Sequence, residues 1–187
     1  MERDHPQQFA ELKERLAEIQ DLRGALALLD WDQHVMMPPR GASARAEAMA
    51  TLERLAHAMF VDPQVGRLLD ALQPYEESLP ADSDEASLIR VTRRDYEKLR
   101  RVPPHLAAEI ARTASLAQEV WVDARAKADY ALFLPHLSAN LDLKRRYINC
   151  FEPAEEVYDL LLDDFEPGAW HQNQDSRNPL HMGFRES

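Results

Sequence analysis

The sequence predicts an all-α protein, a bundle of about seven helices followed by an irregular tail. Apolar residues recur every three or four positions through most of the 187 residues, and no segment alternates polar and apolar residues as a half-buried strand does. Only 5 residues are glycine, too few for the many tight turns of a large sheet. Several predicted helices also start near a proline, the residue favoured at the first helical position.

The first helix is predicted from about Gln7 to Leu29, where apolar residues form one stripe along a helix. Pro38, Pro39 and Gly41 oppose helix, so residues 30–41 are expected to form an ordered loop. We expect bulky side chains to anchor this loop, namely Trp31, Met36 and Met37. The stripe consists of Phe9, Leu12, Leu16, Ile19, Leu22, Leu26 and Leu29.

A second helix is predicted over Ala42–Phe60, and a short third helix begins at Pro63 and ends near Leu72. Asp62 is the expected cap of the third helix, since its carboxylate can accept from free amides of the first turn. Residues 74–80 are expected to form a polar loop. The predicted inward residues of the second helix are Met49, Leu52, Leu55, Ala56 and Met59.

Four further helices follow. The fourth runs from a cap at Asp82, with Glu85 at capping-box spacing, to about Arg101. The fifth and longest spans Pro104 to about Tyr130, and Pro135 opens a sixth that continues through Ile148. The seventh, opened by Pro153, covers Ala154–Phe165. The residues expected to point inward on these helices are Leu88, Val91, Tyr96, Leu99, Leu106, Ile110, Ala114, Ala117, Val120, Trp121, Ala124, Leu137, Leu141 and Ile148.

Composition restricts the partners and the compartment. The formal net charge is -11, from 22 Lys+Arg against 33 Asp+Glu, so no basic face is available for nucleic acid or for an anionic membrane. The single cysteine, Cys150, is expected to be a buried free thiol, and the lack of a disulfide framework fits a reducing compartment. The polar N-terminus and the lack of a long apolar run complete the prediction of a cytoplasmic protein.

No complete catalytic or metal-binding motif is found, and no catalytic, cofactor-binding or metal-ligating residue is predicted. A zinc-protease helix needs His-Glu-x-x-His, in which two imidazoles one turn apart bind the metal and the glutamate activates water. None of the 7 histidines precedes a glutamate, and no two of them are four residues apart. These histidines are His5, His34, His57, His105, His136, His171 and His181.

Three weaker groupings of acidic residues and histidines are expected to have structural roles rather than to bind a metal. Glu53 and His57, four residues apart, are expected to form a surface pair. The group of Asp30, Asp32 and His34 is expected to supply caps and loop hydrogen bonds. The group of Glu155, Asp159 and Asp163 shares one helical face, expected either to be solvated or to meet a basic partner surface.

The segment DWDQHVMMPPRG over residues 30–41, followed by Arg45-Ala46-Glu47, resembles the carboxypeptidase Taq family of metallocarboxypeptidases. The likeness continues in order through Asp62-Pro63, Val102-Pro103 and Trp121, and it ends with YDLLLDDFEPG over residues 158–168. It covers about residues 7–168, whereas the tail from 169 to 187 departs from the pattern and is treated as a separate segment.

The resemblance implies that the chain is the N-terminal, cap-like part of a larger all-helical metallopeptidase that removes C-terminal residues from peptides. It implies a divalent metal, zinc, bound by a later part of the family protein, a peptide substrate in a groove, and a homodimer. Since that catalytic half has no counterpart here, the chain alone is expected to be inactive. The alternative hypothesis is a non-catalytic helical module that binds a protein partner.

Overall fold

The fold confirms the all-α prediction. A computed structural model describes residues 5–38, 40–152 and 156–167, and across these ranges it contains helices and no strand. Six helices have nine or more residues: α1 (His5–Val35), α2 (Ala42–Phe60), α3 (Pro63–Ala71), α5 (Asp84–Leu99), α6 (Pro104–Lys127) and α7 (Tyr130–Ile148). Two helices have six residues each, α4 (Gln73–Ser78) and α8 (Val157–Leu162).

The chain falls into two compact units that divide between Leu143 and Lys144, inside α7. The first unit contains α1 to α6 and most of α7, and it holds the main core. The second contains the end of α7 and α8.

The core of the first unit forms where α1 packs against α2, α3 and their neighbours. The predicted apolar stripe of α1 faces this core, with Leu12 and Ile19 fully buried. The remaining buried members of the cluster are Ala56, Phe60, Val65, Leu68, Leu69, Leu72, Ile89 and Tyr96.

Helices α2 and α6 pack against each other more extensively than any other pair of helices in the described ranges. They run antiparallel: His57 near the end of α2 contacts Val102 before the start of α6, whereas Glu47 contacts Arg112 further along. The buried face of α2 carries alanines four residues apart, Ala42, Ala46 and Ala50. Their small side chains allow the two backbones to approach closely.

The loop predicted over residues 30–41 is helical in its first half, because α1 continues to Val35. Nothing in residues 30–35 opposes helix, and Pro38 acts only on the residues next to it. The expected anchoring is also wrong for two residues, since Trp31 is 61% exposed and Met36 is 71% exposed. With 31 residues, α1 rather than α6 is the longest helix that the structure describes.

The polar loop predicted over residues 74–80 contains the short helix α4, which tertiary contacts hold in place. The ring of Tyr75 lies 6.0 Å from that of Phe9 on α1. Arg93 of α5 donates to the Leu69 carbonyl at 2.7 Å and to the Glu76 carboxylate at 3.3 Å, which joins α3, α4 and α5. The local sequence contains neither partner, and its one helix signal, Pro74 in the first turn, is shared with turns.

One of the two predicted helix caps is confirmed, and the other is wrong. Asp62 caps α3, accepting from the Gln64 amide at 2.7 Å. Asp82 does not cap α5, because this helix begins two residues later and the Ser83 hydroxyl accepts from the Ala86 amide instead. Both residue types favour this position, so the sequence left the register of the helix start open.

The turn between α6 and α7 also differs from the prediction. Ala128, with φ of 52°, ends α6 in the left-handed conformation. Asp129 accepts from the Ala131 amide at 3.0 Å, so α7 starts at Tyr130 and Pro135 lies inside it rather than opening it. Helix α8 lies within the predicted seventh helix, whereas Pro153, Ala154, Glu155 and the tail 169–187 lie outside the described residues.

None of the helices in the described ranges is both long and apolar enough to cross a membrane.

A close contact between α3 and α5 depends on Gly66. A methyl group at this position would lie 2.5 Å from the Tyr96 hydroxyl oxygen and within 3.0 Å of two ring carbons. Because Tyr96 is buried, we expect Gly66→Ala to destabilise the fold by about 1–3 kcal/mol in urea unfolding.

The matched control is Gly24→Ala on α1, where the added methyl meets nothing within 4 Å. Alanine is the better helix former, so this variant should gain about 0.5–1 kcal/mol. Equal effects of the two substitutions would contradict the packing of Tyr96 on α3.

Candidate functional site

The end of α1 carries the residues that sequence analysis singled out in the DWDQH segment. His34 Nδ1 lies 2.7 Å from the Asp30 carbonyl oxygen one turn earlier, a local contact within the helix. Asp32 and Gln33 instead reach other helices. The expected hydrogen-bonding role is therefore right for Asp32 and His34, although these bonds are made on a helix rather than in a loop.

Arg45 ties the first turn of α2 to the last turns of α1. Its guanidinium donates to the Asp32 carboxylate and to the Leu29 carbonyl oxygen. The Arg45 side chain is only 15% exposed, so both contacts are partly shielded from water. Sequence reasoning missed this role, because a basic residue in the first turn of a helix carries no local signal of its distant acceptor.

Gln33 and Ser115 exchange hydrogen bonds between α1 and α6. The Gln33 amide nitrogen donates to the Ser115 carbonyl oxygen at 2.7 Å, and the Ser115 hydroxyl donates to the Gln33 amide oxygen at 2.7 Å. Ser115 is buried, and both ends of the amide are satisfied. The exchange fixes α1 against the middle of α6.

Glu47 and Arg112 form a two-pronged ion pair between α2 and α6, with N···O distances of 2.6 and 2.8 Å. Its hydrogen bonds lower the pKa of the Glu47 carboxyl and raise that of the Arg112 guanidinium. Both side chains are largely exposed, so the pair sets the register of the helices more than it stabilises them.

These links meet at one end of the bundle, where α1 finishes and α2 begins; we call it the open end. Apolar side chains that lack cover surround it. Trp31 on α1 and Met36 just after its end are exposed, and on α6 Trp121 is 39% exposed and Val122 54%. The expectation that Trp121 is buried is therefore wrong. We define the open-end surface as Leu28, Trp31, Val35, Met36, Trp121 and Val122.

An apolar groove between α6 and α7 adjoins Trp121. It is lined by Ala117, Gln118 and Trp121 of α6 and by Phe133 and Leu137 of α7. Leu141 of α7 was predicted to point inward, but it is 49% exposed. Three other predicted inward residues are also exposed, namely Leu55 on α2, Val91 on α5 and Ala114 on α6.

His57 is a buried core residue rather than the predicted half of a surface pair with Glu53. It is 4% exposed, and its Nε2 lies 2.7 Å from the Val102 carbonyl oxygen. The bond satisfies a carbonyl just before α6, where helix geometry supplies no partner. It also fixes the entry of α6 beside α2.

In the second unit, the predicted acidic face is not simply solvated, since Asp159 is 4% exposed. The Tyr147 hydroxyl donates to the Asp164 carboxylate at 2.9 Å, and burial raises the Tyr147 pKa above its usual range. Cys150 is half-buried rather than fully buried, and burial raises the pKa of its thiol. Glu155 lies outside the described residues.

Within the ranges that the structure describes, no group of three or more His, Cys, Asp or Glu side chains could hold a metal ion. The described residues therefore do not fit a metal centre. What they build is a rigid junction of three helices beside an uncovered apolar surface.

Comparison with known proteins places the whole pattern in one family. Residues 11–177 match the model of the family described as carboxypeptidase Taq (M32) metallopeptidase. Thermostable carboxypeptidase 1 of Thermus thermophilus is 37% identical over 151 residues, which are 76% of this chain and 30% of that protein. Carboxypeptidase 1 of Bacillus subtilis is 28% identical over 165 residues, 88% of this chain and 32% of the relative.

Solved structures agree with the sequence comparison. A crystal structure described as BsuCP has a TM-score of 0.84 at 27% identity, over 91% of this chain and 34% of that chain. An M32 carboxypeptidase from Deinococcus radiodurans R1 has a TM-score of 0.67 at 29% identity, over 91% of this chain and 34% of its own. This chain thus spans about a third of the length of the relatives it matches.

The side-chain half of the Gln33–Ser115 exchange, from the Ser115 hydroxyl to the Gln33 amide oxygen, can be measured by a double-mutant cycle. Ser115→Ala leaves the Gln33 amide oxygen without its donor, so we expect a loss of about 1 kcal/mol in urea unfolding. Combined with Gln33→Ala, the coupling energy should be about 0.5–1.5 kcal/mol.

The comparison cycle uses Glu47→Ala and Arg112→Ala, one turn away on α6. Because that pair is exposed, its coupling should be smaller and should fall as salt is raised. A coupling near zero for Gln33 and Ser115 at all salt concentrations would show that α1 is not fixed on α6 in this way.

Proposed function

We propose, from the premise that this chain belongs to the carboxypeptidase Taq (M32) metallopeptidase family, that it is the N-terminal helical part of a metallocarboxypeptidase. The complete enzyme would remove single residues from the C-termini of peptides. In it, these helices would form a cap along one wall of the substrate groove.

The observation that carries this proposal is the extent of the match. The family model covers most of the chain, whereas the chain covers only 28–32% of its three curated relatives. A segment that is part of a larger fold should leave apolar side chains without cover where the remainder packs. The open-end surface has this character.

The catalytic metal is assigned to the part of the family protein beyond the match, since the described residues do not fit a metal centre. Zinc is the metal we propose, as the ion that activates water for peptide hydrolysis in many metallopeptidases. This chain would only position the wall of the substrate groove. The contacts of Arg45 and Gln33 would hold the groove wall at a fixed distance from the reacting groups.

The competing proposal is a helical module that binds a protein partner and has no catalytic role. Such a module, stable by itself, should be monodisperse and should cover most of its large apolar side chains. Trp31 and Met36, each more than 60% exposed, favour the enzyme part instead.

For the complete enzyme we propose a cytoplasmic location and a homodimeric state. The location rests on the single cysteine, because the lack of a disulfide framework suits a reducing compartment. The dimer rests on the family resemblance alone.

A chimera tests the proposed function. Residues 1–167 of this chain would replace the matched segment of the Bacillus subtilis relative, with release of the C-terminal residue from an N-blocked peptide as the readout. We expect metal-dependent hydrolysis that a chelator removes. The 187-residue chain by itself should release nothing, with or without added zinc.

The matched control is the same relative with its N-terminal segment deleted, which should be inactive or much weaker. A folded, metal-loaded chimera without activity would argue against the enzyme assignment. Chelator-sensitive hydrolysis by the 187-residue chain alone would contradict the assignment of the metal to the remainder.

A further inference from the structure

We propose that the open-end surface is the docking surface for the catalytic part of the family protein. The inference rests on the proposed function and deepens it, because it names the residues through which these helices would join the remainder. Three features carry it: the two apolar faces of α1, the overhang of α6 and the composition of the surface.

The last turns of α1 are apolar on both sides. Leu22, Leu26 and Leu29 are partly buried toward the bundle. Leu28, Trp31 and Val35, spaced three and four residues apart, share another face and are 69%, 61% and 54% exposed. A second apolar face that is exposed on a helix normally marks an interaction site. The second face therefore indicates a missing neighbour.

The second half of α6 extends past the end of its partner helix. The two contacts between these helices set their register: His57 contacts Val102, just before α6, and Glu47 contacts Arg112 on it. Ten residues back along α2 therefore match ten residues forward from Val102. Continued at this pace, the start of α2 at Ala42 lies level with Ala117. From residue 118 to the end of α6, only Ala124 is buried. Trp121 and Val122 therefore project beyond α2.

Both sets of side chains lie at the same end of the bundle. The Gln33–Ser115 exchange places the end of α1 beside α6, less than two helical turns before Trp121. Arg45 holds the start of α2 at the same level. The two indoles and their apolar neighbours thus flank a junction of three hydrogen-bonded helices, which suits an interface because the backbone beneath them is already held in place.

The composition of the surface indicates the occupant. Its six members are apolar, and the Arg125 guanidinium lies 5.3 Å from the centre of the Trp121 ring, so the partner surface should be mainly apolar. The relatives carry this segment on chains about three times as long, and their additional length can supply such a surface. A second copy of this chain is less suited, since each copy has a net charge of -11 and the two would repel.

Binding in trans tests the proposal. The labelled 187-residue chain would be titrated with the catalytic part of the Thermus thermophilus relative, expressed without the segment that this chain matches, and followed by fluorescence anisotropy and analytical ultracentrifugation. We expect a one-to-one complex. Trp31→Glu should weaken it by about tenfold or more, since buried tryptophans dominate interface energetics.

The matched control is Val91→Glu. Val91 is apolar and 51% exposed, but it lies on α5, which packs against α3 and α4. The Val91→Glu variant adds the same negative charge as Trp31→Glu and should leave the affinity unchanged. Equal weakening by both variants, or none by either, would overturn the proposal. A dimer of this chain that is lost in Trp31→Glu and not displaced by the catalytic part would assign the surface to a second copy.

Stability gives a second readout that does not depend on complementation. In the 187-residue chain, both substitutions should change the melting temperature only slightly, because both side chains are exposed. In the chimera, Trp31→Glu should lower the melting temperature markedly and Val91→Glu should not. An active chimera that tolerates Trp31→Glu would overturn the docking surface and leave the proposed function standing. An inactive chimera whose melting temperature falls markedly in Trp31→Glu would overturn the proposed function and leave the docking surface standing.

Discussion

The close antiparallel packing of α2 on α6 is the constraint on which the rest of the first unit depends. Alanines spaced four apart are buried on α2, and the small residues Ala108, Ser115 and Ala117 are buried on α6, the helix against which α2 packs most extensively. Side chains this small let the helices approach closely, and close approach leaves little freedom to slide. The His57–Val102 and Glu47–Arg112 contacts, near the two ends of this interface, then agree on one register. That register decides which residues of α6 lie beyond the start of α2.

Sequence patterns predicted the elements that local chemistry determines. The apolar stripe of α1, the bounds of α2 and the Asp62 cap of α3 were confirmed, because each follows from periodicity or from a side chain within two residues. Several of the errors share one cause. Helix α4, the buried state of His57 and the roles of Arg45 and Ser115 depend on partners 13 to 82 residues away, for which no local pattern exists.

The errors about burial have a different cause, and they are informative about the site. Periodicity predicts which residues are apolar, and burial is then assumed from apolarity. The assumption held for Leu12 and Ile19, which face the core of this unit. It failed for Trp31, Trp121 and Leu141, which lie on α1, α6 and α7. Trp31 and Trp121 belong to the open-end surface, whereas Leu55 and Val91, which were also predicted to point inward, are exposed on α2 and α5 outside it. Exposure of a predicted core residue therefore indicates an interface only where several such residues lie together, as they do at the open end.

This distinction also separates the two functions that the sequence left open. An independent binding module is selected to be stable and soluble with its binding face free, so its apolar exposure should be confined to a patch of a few hundred square ångströms. Here uncovered apolar residues extend from α1 across α6 and along α7. They flank hydrogen-bonded contacts that already hold α1, α2 and α6 rigidly. Rigid helices with a broad apolar exposure resemble the inside of a divided protein core more than a finished recognition surface, which is why the part-enzyme interpretation accounts for more of the molecule.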